Sequence, residues 1–465
     1  MFIYDGGLLH RMPSTRVWMR VRMMAAVGAT AALLVGLQVA AGSAGFQGPL
    51  HSLISDYVAT PKSATVPWVA LGVACVGLSN RWRIRALSMA AALDVAFAAE
   101  RLLRGGAFTL GNGALIVLTG LIVLVWRRLA GEQRSTAMRG IAFAILYVLA
   151  TKVGDTWLRI TAIVRPTVLD EYALLVDRAL AQPSWLFGRM VDAAGPPLSG
   201  VLHWVYIELP AAALVVAVYQ LRNVTAEGWP RHSMFRTFLL LGLIGPVIYV
   251  VFPLVGPVFA FGAAGHGLQV GDYWPHTLPA PDMSVISPRP IAFDGETARN
   301  CMPSMHTAWA LAVFVHTRGG PRWLRWGGTF WLVCTIAATL GFGYHYGVDL
   351  VAGALLCLTV ESALREPVLG APASRSQLVA GGSVLLVLLL LCCRHLAGPI
   401  ARYPLLSGLL IIGALGVFTT VFSATFFARP GLNEVHEHRR VVAGPLAFAF
   451  LPDDLGVGDP PGHGR

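Results

Sequence analysis

Long apolar stretches alternate along this chain with short segments rich in Arg, Gly and Pro. A helix that crosses a hydrocarbon core needs about 20 mostly apolar residues. Twelve stretches approach that length: 23–42, 64–79, 86–103, 109–126, 138–162, 198–220, 236–262, 304–317, 326–343, 347–363, 377–393 and 404–427. The pattern predicts an all-α, polytopic transmembrane helical bundle of about twelve spans. The chain divides into an N-terminal four-span region over 1–137, a six-span core over 138–363, a two-span region over 364–428, and a Gly/Pro-rich disordered tail over 429–465. Two segments depart from simple span-and-loop alternation. Residues 163–197, with Asp170 and Asp177 among leucines, Trp185 and Phe187, predict an amphipathic helix lying in the interface. Residues 263–303 form a loop too long for a plain connector, in which Asp272 and Trp274 are candidate substrate contacts.

Composition agrees with a membrane class. Of the 465 residues 55% are hydrophobic and only 13% charged, where soluble domains carry about 25% charged residues. A net charge of +11 could indicate nucleic acid as a partner. The arginines instead sit in short clusters between apolar stretches, which is a topology signal and not a basic groove. Threading twelve spans with both termini in the cytoplasm puts most of those clusters inside. The loops before residues 304 and 347 then face the extracytoplasmic side. Lys62 and Lys152 are the only lysines among 35 basic residues, an arginine bias that suggests a GC-rich bacterial genome and an inner-membrane location. The six cysteines show no metal-ligand spacing and read as small core or lipid-facing residues. His436-Glu437-His438 in the tail reads as a solvated stretch, so no metal and no cofactor is expected.

Ionisable groups at span ends in so apolar a chain are functional candidates. Two clusters qualify: Asn300-Cys301-Met302-Pro303-Ser304-Met305-His306, and Gly343-Tyr344-His345-Tyr346-Gly347-Val348-Asp349. His345 and Asp349 are four apart, so on a helix they share one face. A carboxylate there can accept one imidazole N–H, fix the tautomer and leave the other nitrogen free as a nucleophile. His306 can act as general acid to a departing oxygen. Pro303 and Ser304 suit the first turn of a helix, and two helix N-termini converging on one place would favour a phosphate. Either cluster alone has a bland reading, a satisfied polar pair or a chance tetrapeptide. Together, at matching ends of neighbouring spans, they point to phosphoryl transfer.

Pro303-Ser304-Met305-His306 followed by His345-Tyr346-x-x-Asp349, continuing as Leu350-Val351-Ala352-Gly353, resembles the type 2 phosphatidic acid phosphatase superfamily. In particular it resembles the inositolphosphotransferase branch that contains the fungal inositol phosphorylceramide synthases. The resemblance covers about 138–363. It implies that His345 attacks phosphorus, that Asp349 is its partner and that His306 protonates the leaving group. The phosphatases carry Ser-Arg shortly before the nucleophilic His, where this chain has Ala338 and Thr339. They also carry Lys-x6-Arg-Pro, of which Arg165-Pro166 preserves only the end. Another cation must then meet the phosphate. Arg299 is the first candidate, with Lys152, Arg159 and Arg165 behind it and Ser304 as a hydroxyl donor. The resemblance implies transfer of a phosphoryl or phospho-head group between a lipid phosphate and an alcohol such as inositol. Hydrolysis of an isoprenyl phosphate or phosphatidic acid shares the same first half-reaction and stays open. A transporter or non-catalytic scaffold is the reading from another class, against which the polar residues cluster at one face and not at the midplane.

Overall fold

The computed structural model describes residues 15–261, 287–293 and 297–427. Its N-terminal helices are α1 (Thr15–Ser43), α2 (Pro49–Val58), α3 (Thr65–Val76), α4 (Asn80–Leu103), α5 (Asn112–Arg128) and α6 (Gly131–Val164). Then come α7 (Asp170–Asp177), α8 (Pro183–Ala194), α9 (Pro196–Ile207), α10 (Leu209–Leu221), the single turn α11 (Val224–Glu227), α12 (Met234–Val251) and α13 (Pro257–Phe261). The last set is α14 (Met305–Thr317), α15 (Arg322–Gly341), α16 (Gly347–Leu364), α17 (Arg375–His395), α18 (Ala397–Arg402) and α19 (Pro404–Phe427). Among the described residues the only strands are Thr167–Val168 and Arg289–Pro290, paired antiparallel. The chain is therefore all-α. Asp272, Trp274 and the tail from 429 lie outside the described residues.

Among the described residues five helices are long and apolar enough to cross a membrane: α6, α12, α16, α17 and α19. The expected span 198–220 is instead a pair, α9 and α10, bent by 54°. Pro210 explains the bend, since it has no N–H for the carbonyl of Tyr206 and its ring crowds that turn. Several other expected spans form helices that fall short. With 12 and 13 residues, α3 and α14 reach only about 18–20 Å at 1.5 Å per residue, against a hydrocarbon core of about 30 Å. Residue 236–262 shortens too, because the helix ends at Val251 and residues 252–256 are irregular. Apolarity read along the sequence does not distinguish a residue facing lipid from one facing another helix. Many of the counted residues face other helices: α16 is mostly buried inside the protein, whereas α17 and α19 present most of their surface outward.

One continuous apolar interior joins two groups of helices. In the N-terminal group α3 packs on α6, α5 and α10. Its polar residues are tied together: Asp94 accepts from Gly111 N, Gly113 N and Trp68 Nε1, and Arg101 reaches Asn112 Oδ1 and Ala59 O. In the second group α16 lies at the centre, with α14, α12 and α17 against it. The contact between α14 and α16 is close at one point. A Cβ added at Gly353 would run into the carbonyl oxygen of Ser304, while Ser304 N donates to Asp349 O at 3.0 Å. Backbone against backbone cannot yield as a side-chain tip can. Gly353→Ala should therefore destabilise by about 1–3 kcal/mol, read as a lower thermal midpoint in detergent, and should lower turnover because the turn before His306 must shift. Gly381→Ala is the control: a Cβ at Gly381 meets nothing within 4 Å, so equal effects from the two substitutions would contradict this packing account.

The segment 163–197 does not form the expected interfacial helix. It folds as α7, a 3-10 turn over Arg178–Leu180 and α8. Residues 173–177 of α7 are buried, and α7 packs on α16, α17 and α18. The expectation rested on amphipathicity, but the polar face of α7 is also internal. Asp170 and Asp177 lie seven apart, on one side of the helix, and both are 2% exposed.

Candidate active site

The first catalytic candidate sits on the opening turn of α14. Ser304 is the N-cap, and its Oγ accepts from Thr307 N at 3.3 Å and from the Thr307 hydroxyl at 3.0 Å. That satisfies one of the orphan donors at the helix start. It also leaves Ser304, fully buried, serving the helix end where the sequence suggested phosphate binding. His306 is the second residue of α14. Its ring stacks on Tyr206, with centroids 3.8 Å apart and 16° between the planes, and meets the edge of Trp309 at 6.1 Å.

The second candidate is built differently from the sequence expectation. His345 does not share a helix face with Asp349, because α16 starts at Gly347. Asp349 is the third residue of that helix and caps it, its Oδ2 accepting from Tyr346 N at 2.8 Å. The cap, and not a helical i,i+4 repeat, brings the carboxylate beside His345, with Nδ1 and Oδ2 3.6 Å apart. That is an ion-pair distance, longer than a formed hydrogen bond. Cys301 fills the gap. Its thiol donates to Asp349 Oδ2 at 2.7 Å and lies 3.5 Å from His345 Nδ1. Burial, and then the Asp349 and Asp170 carboxylates, push the Cys301 thiol well above its usual range, so it stays a neutral S–H donor. Sequence reasoning took Cys301 for a core residue. Its place within the Asn300–His306 cluster was the available signal. The second oxygen, Asp349 Oδ1, is buried with no partner among the described residues.

A further set of polar groups fixes the turn around His345. Asp170 Oδ1 accepts from Gly256 N and from Tyr346 Oη, both at 2.9 Å, and Oδ2 accepts from Val255 N at 3.1 Å. Asp177 Oδ1 accepts from Val348 N at 3.0 Å. The Ser184 hydroxyl donates to the carbonyl oxygen of His345. Burial pushes both aspartates up to about 7, against the donors that hold the charged form. Gly256 completes the clamp: it has φ +98°, and a Cβ there would strike the Tyr344 carbonyl. Residues 253–256 and 344–348 thus pass in direct contact. These clamp residues were missed as functional positions, although two aspartates seven apart in an apolar segment are an unusual signal.

His306 and His345 open into one cavity of about 370 Å³, which Asn300, Tyr206 and Trp309 also line. Among the described residues lining it there is no Lys or Arg. The expected phosphate cations are engaged elsewhere. Arg299 is fully buried and donates to the backbone oxygens of Arg165, Thr297 and Ile291. Lys152 pairs with Asp56 and donates to Ser52 Oγ at 3.1 Å. Arg159 lies over the Phe46 ring at 5.9 Å, and Arg165 donates to Val250 O at 2.7 Å. Lys152 and Arg159 are seven apart on α6, each one position past a cavity-lining residue, Thr151 and Leu158. One position is about 100° around a helix, and that rotation turns Lys152 toward α2 and Arg159 toward Phe46 in the turn before it.

Among the described residues two groups of side chains have metal-ligand types close together. In each, one ligand atom per residue lies within 4.8 Å of the others: Cys301, His345 and Asp349, and separately His232, His316 and Glu361. Hydrogen bonds account for the second group. Gln220 Oε1 accepts from Met234 N, so its Nε2 donates to His316 Nδ1 at 2.8 Å, leaving His316 Nε2–H to donate to Glu361 at 2.8 Å. Thr237 and Arg365 also donate to Glu361. That carboxylate is a hub joining α12, α14 and α16 at the end away from His345.

Comparison with known families divides the chain in two. Residues 21–160 match a domain of unknown function (DUF5933). Residues 175–362 match the PAP2 superfamily. The second match holds His306, His345, Asp349, Cys301 and Asp177, while Asp170 lies just before its start. The core expected over 138–363 contains that match together with the end of the first. No curated protein and no solved structure matches the chain.

Proposed function

We propose that this protein is a membrane phosphotransferase that moves a phosphoryl or phospho-head group from a lipid phosphate to an alcohol such as inositol, through a phosphohistidine at His345. The observation that carries the reading is that His306 and His345 open into the same cavity while Asp349 stands behind His345 Nδ1. The PAP2 superfamily match over the same residues supports a lipid phosphate as donor.

In the proposed cycle Asp349 holds the Nδ1–H tautomer, so the lone pair of Nε2 is available for attack. An N–P bond forms, the P–O bond to the lipid breaks, and His306 gives its proton to the departing oxygen. In the second half-reaction an acceptor oxygen attacks phosphorus, the N–P bond breaks and His306 takes the acceptor's proton. With no Lys or Arg lining the cavity among the described residues, phosphate charge is met by the N-terminus of α14 and by the amide of Asn300. Arg299 acts at one remove by fixing the backbone beside Asn300. Water in place of the alcohol gives the phosphatase reaction from the same intermediate. The helices α6, α9 with α10, α12, α14, α15 and α16 are the proposed six-element core. The arginine distribution supports a site facing the extracytoplasmic side, reached by lipid from the outer leaflet.

The test is purified protein incubated with phosphate-labelled phosphatidic acid, with and without myo-inositol, in EDTA. Acid-labile label should appear on the protein, and label should pass into an inositol phosphate ester, at a rate within about twofold of that in added Mg²⁺, since covalent transfer needs no cation held by a carboxylate cluster. Free phosphate as the sole product would mean hydrolysis. Activity lost in EDTA and restored by a divalent ion would point to the Cys301, His345 and Asp349 ligand set instead.

A further inference from the structure

The cavity that holds the two histidines is not made by the PAP2-matching residues alone. One wall is the face of α6 carrying Tyr147, Ala150, Thr151, Gly154, Asp155 and Leu158. These positions recur at three and four residues, one side of a helix, and all fall within the match to the domain of unknown function. Asp155 is the single carboxylate among the described lining residues. Its Oδ2 accepts from Lys62 Nζ at 2.7 Å, both side chains being about half exposed. Its Oδ1 has no partner among the described residues. One turn away the Thr151 hydroxyl donates to Val148 O at 2.8 Å, which leaves its oxygen lone pairs open to a donor. Gly154, between them, faces open space, with nothing within 4 Å of an added Cβ.

We infer that Asp155, held in place by Lys62, anchors the hydroxyl groups of the alcohol acceptor, so that the N-terminal region supplies the acceptor side of the active cavity. This rests on the phosphotransfer reading above. The chemistry selects a polyol. Asp155 Oδ1 and Thr151 Oγ1 are two acceptors one helical turn apart, suited to two hydroxyl donors on one molecule. Lys62 already balances the carboxylate charge, so a second cation, such as an amine acceptor, would bring an uncompensated charge against apolar walls. One hydroxyl of the bound polyol stays free to attack the phosphohistidine. Its O–P bond forms as the N–P bond breaks, and its proton passes to His306.

The test uses the full-length protein and two readouts. The first is the ratio of inositol phosphate ester to free phosphate released from a labelled donor. Both products come from one intermediate, so the ratio does not depend on the fraction of protein folded. Asp155→Asn should lower it about tenfold, the scale of one hydrogen bond to a charged group, and Gly154→Val, which fills the open space, should lower it too. The second readout is saturable binding of labelled myo-inositol to the His345→Ala protein, expected to be lost when Asp155→Asn is added. An unchanged ratio, or inositol binding indifferent to Asp155→Asn, would overturn the inference. Asp155-dependent binding together with a wild-type protein that forms no phosphohistidine would uphold the acceptor site and remove the phosphotransfer reading instead.

Discussion

Replacing His345 with Ala should remove turnover by four orders of magnitude or more, about the span over which a covalent route outruns unassisted attack in other nucleophile–base systems. The cause is direct. Without the imidazole no N–P bond can form at this position, and among the described residues lining the cavity His306 is the one other imidazole. The fold should persist, because the backbone of residue 345 supplies its structural contacts: the His345 carbonyl accepts from Ser184, and His345 N donates to Thr339 O at 3.2 Å. Two measurements separate chemistry from collapse. Acid-labile, base-stable label from a phosphate-labelled lipid should be trapped on the wild-type protein and be missing from the variant. The thermal midpoint in detergent should move by only a few degrees. A variant that retains label, or that turns over near the wild-type rate, would show that another residue is the nucleophile.

Asp349→Asn should cost on the order of 10²- to 10⁴-fold in kcat, by analogy with other carboxylate–histidine pairs, with a smaller change in KM. Two effects add. The amide carries no charge to hold the Nδ1–H tautomer or to stabilise the imidazolium. It also has one acceptor atom where the carboxylate has two. In the wild type Oδ2 takes both Tyr346 N–H and the Cys301 thiol while Oδ1 is buried without a partner among the described residues. If the amide oxygen keeps the Oδ2 place, the NH₂ group is buried in the Oδ1 place with nothing to donate to, at a cost of about 1–3 kcal/mol. The variant should therefore be slower and also less stable. Cys301→Ala separates the two, since it removes one claimant on Oδ2 and leaves the charge. A kcat loss as large in Cys301→Ala as in Asp349→Asn would mean that packing around Asp349, and not its charge, sets the rate.

The arrangement also explains why three residues so far apart in the chain can stay in register within an apolar protein. Asp170 and Asp177 each bring a buried carboxylate to backbone N–H groups of the turns that carry the site. Buried polar groups are tolerated when their hydrogen bonds are made. Here those bonds are made between segments that would otherwise be joined only by apolar contact, which is non-directional.

Some of this could be read from the chain alone, because it depends on neighbours in sequence. Composition and the run of apolar stretches were enough for an all-α membrane protein. Pro303 and Ser304 mark a helix start wherever they occur, and Ser304 is the cap of α14. His306, His345 and Asp349 could be singled out because ionisable groups at helix starts are costly in apolar surroundings. Other features depend on partners distant in the chain. Whether an apolar helix faces lipid or protein is decided by what packs on it, so α14, at 13 residues, is an internal helix that hydropathy counts as a span. Whether a cation is free to meet phosphate is decided by its partner: Lys152 is taken by Asp56, and Arg299 by carbonyls as far away as Arg165. Cys301 reaches Asp349 across 48 positions and Asp170 reaches Tyr346 across 176. No local periodicity encodes such contacts, since each exists only once loop closure and burial have brought the two segments together.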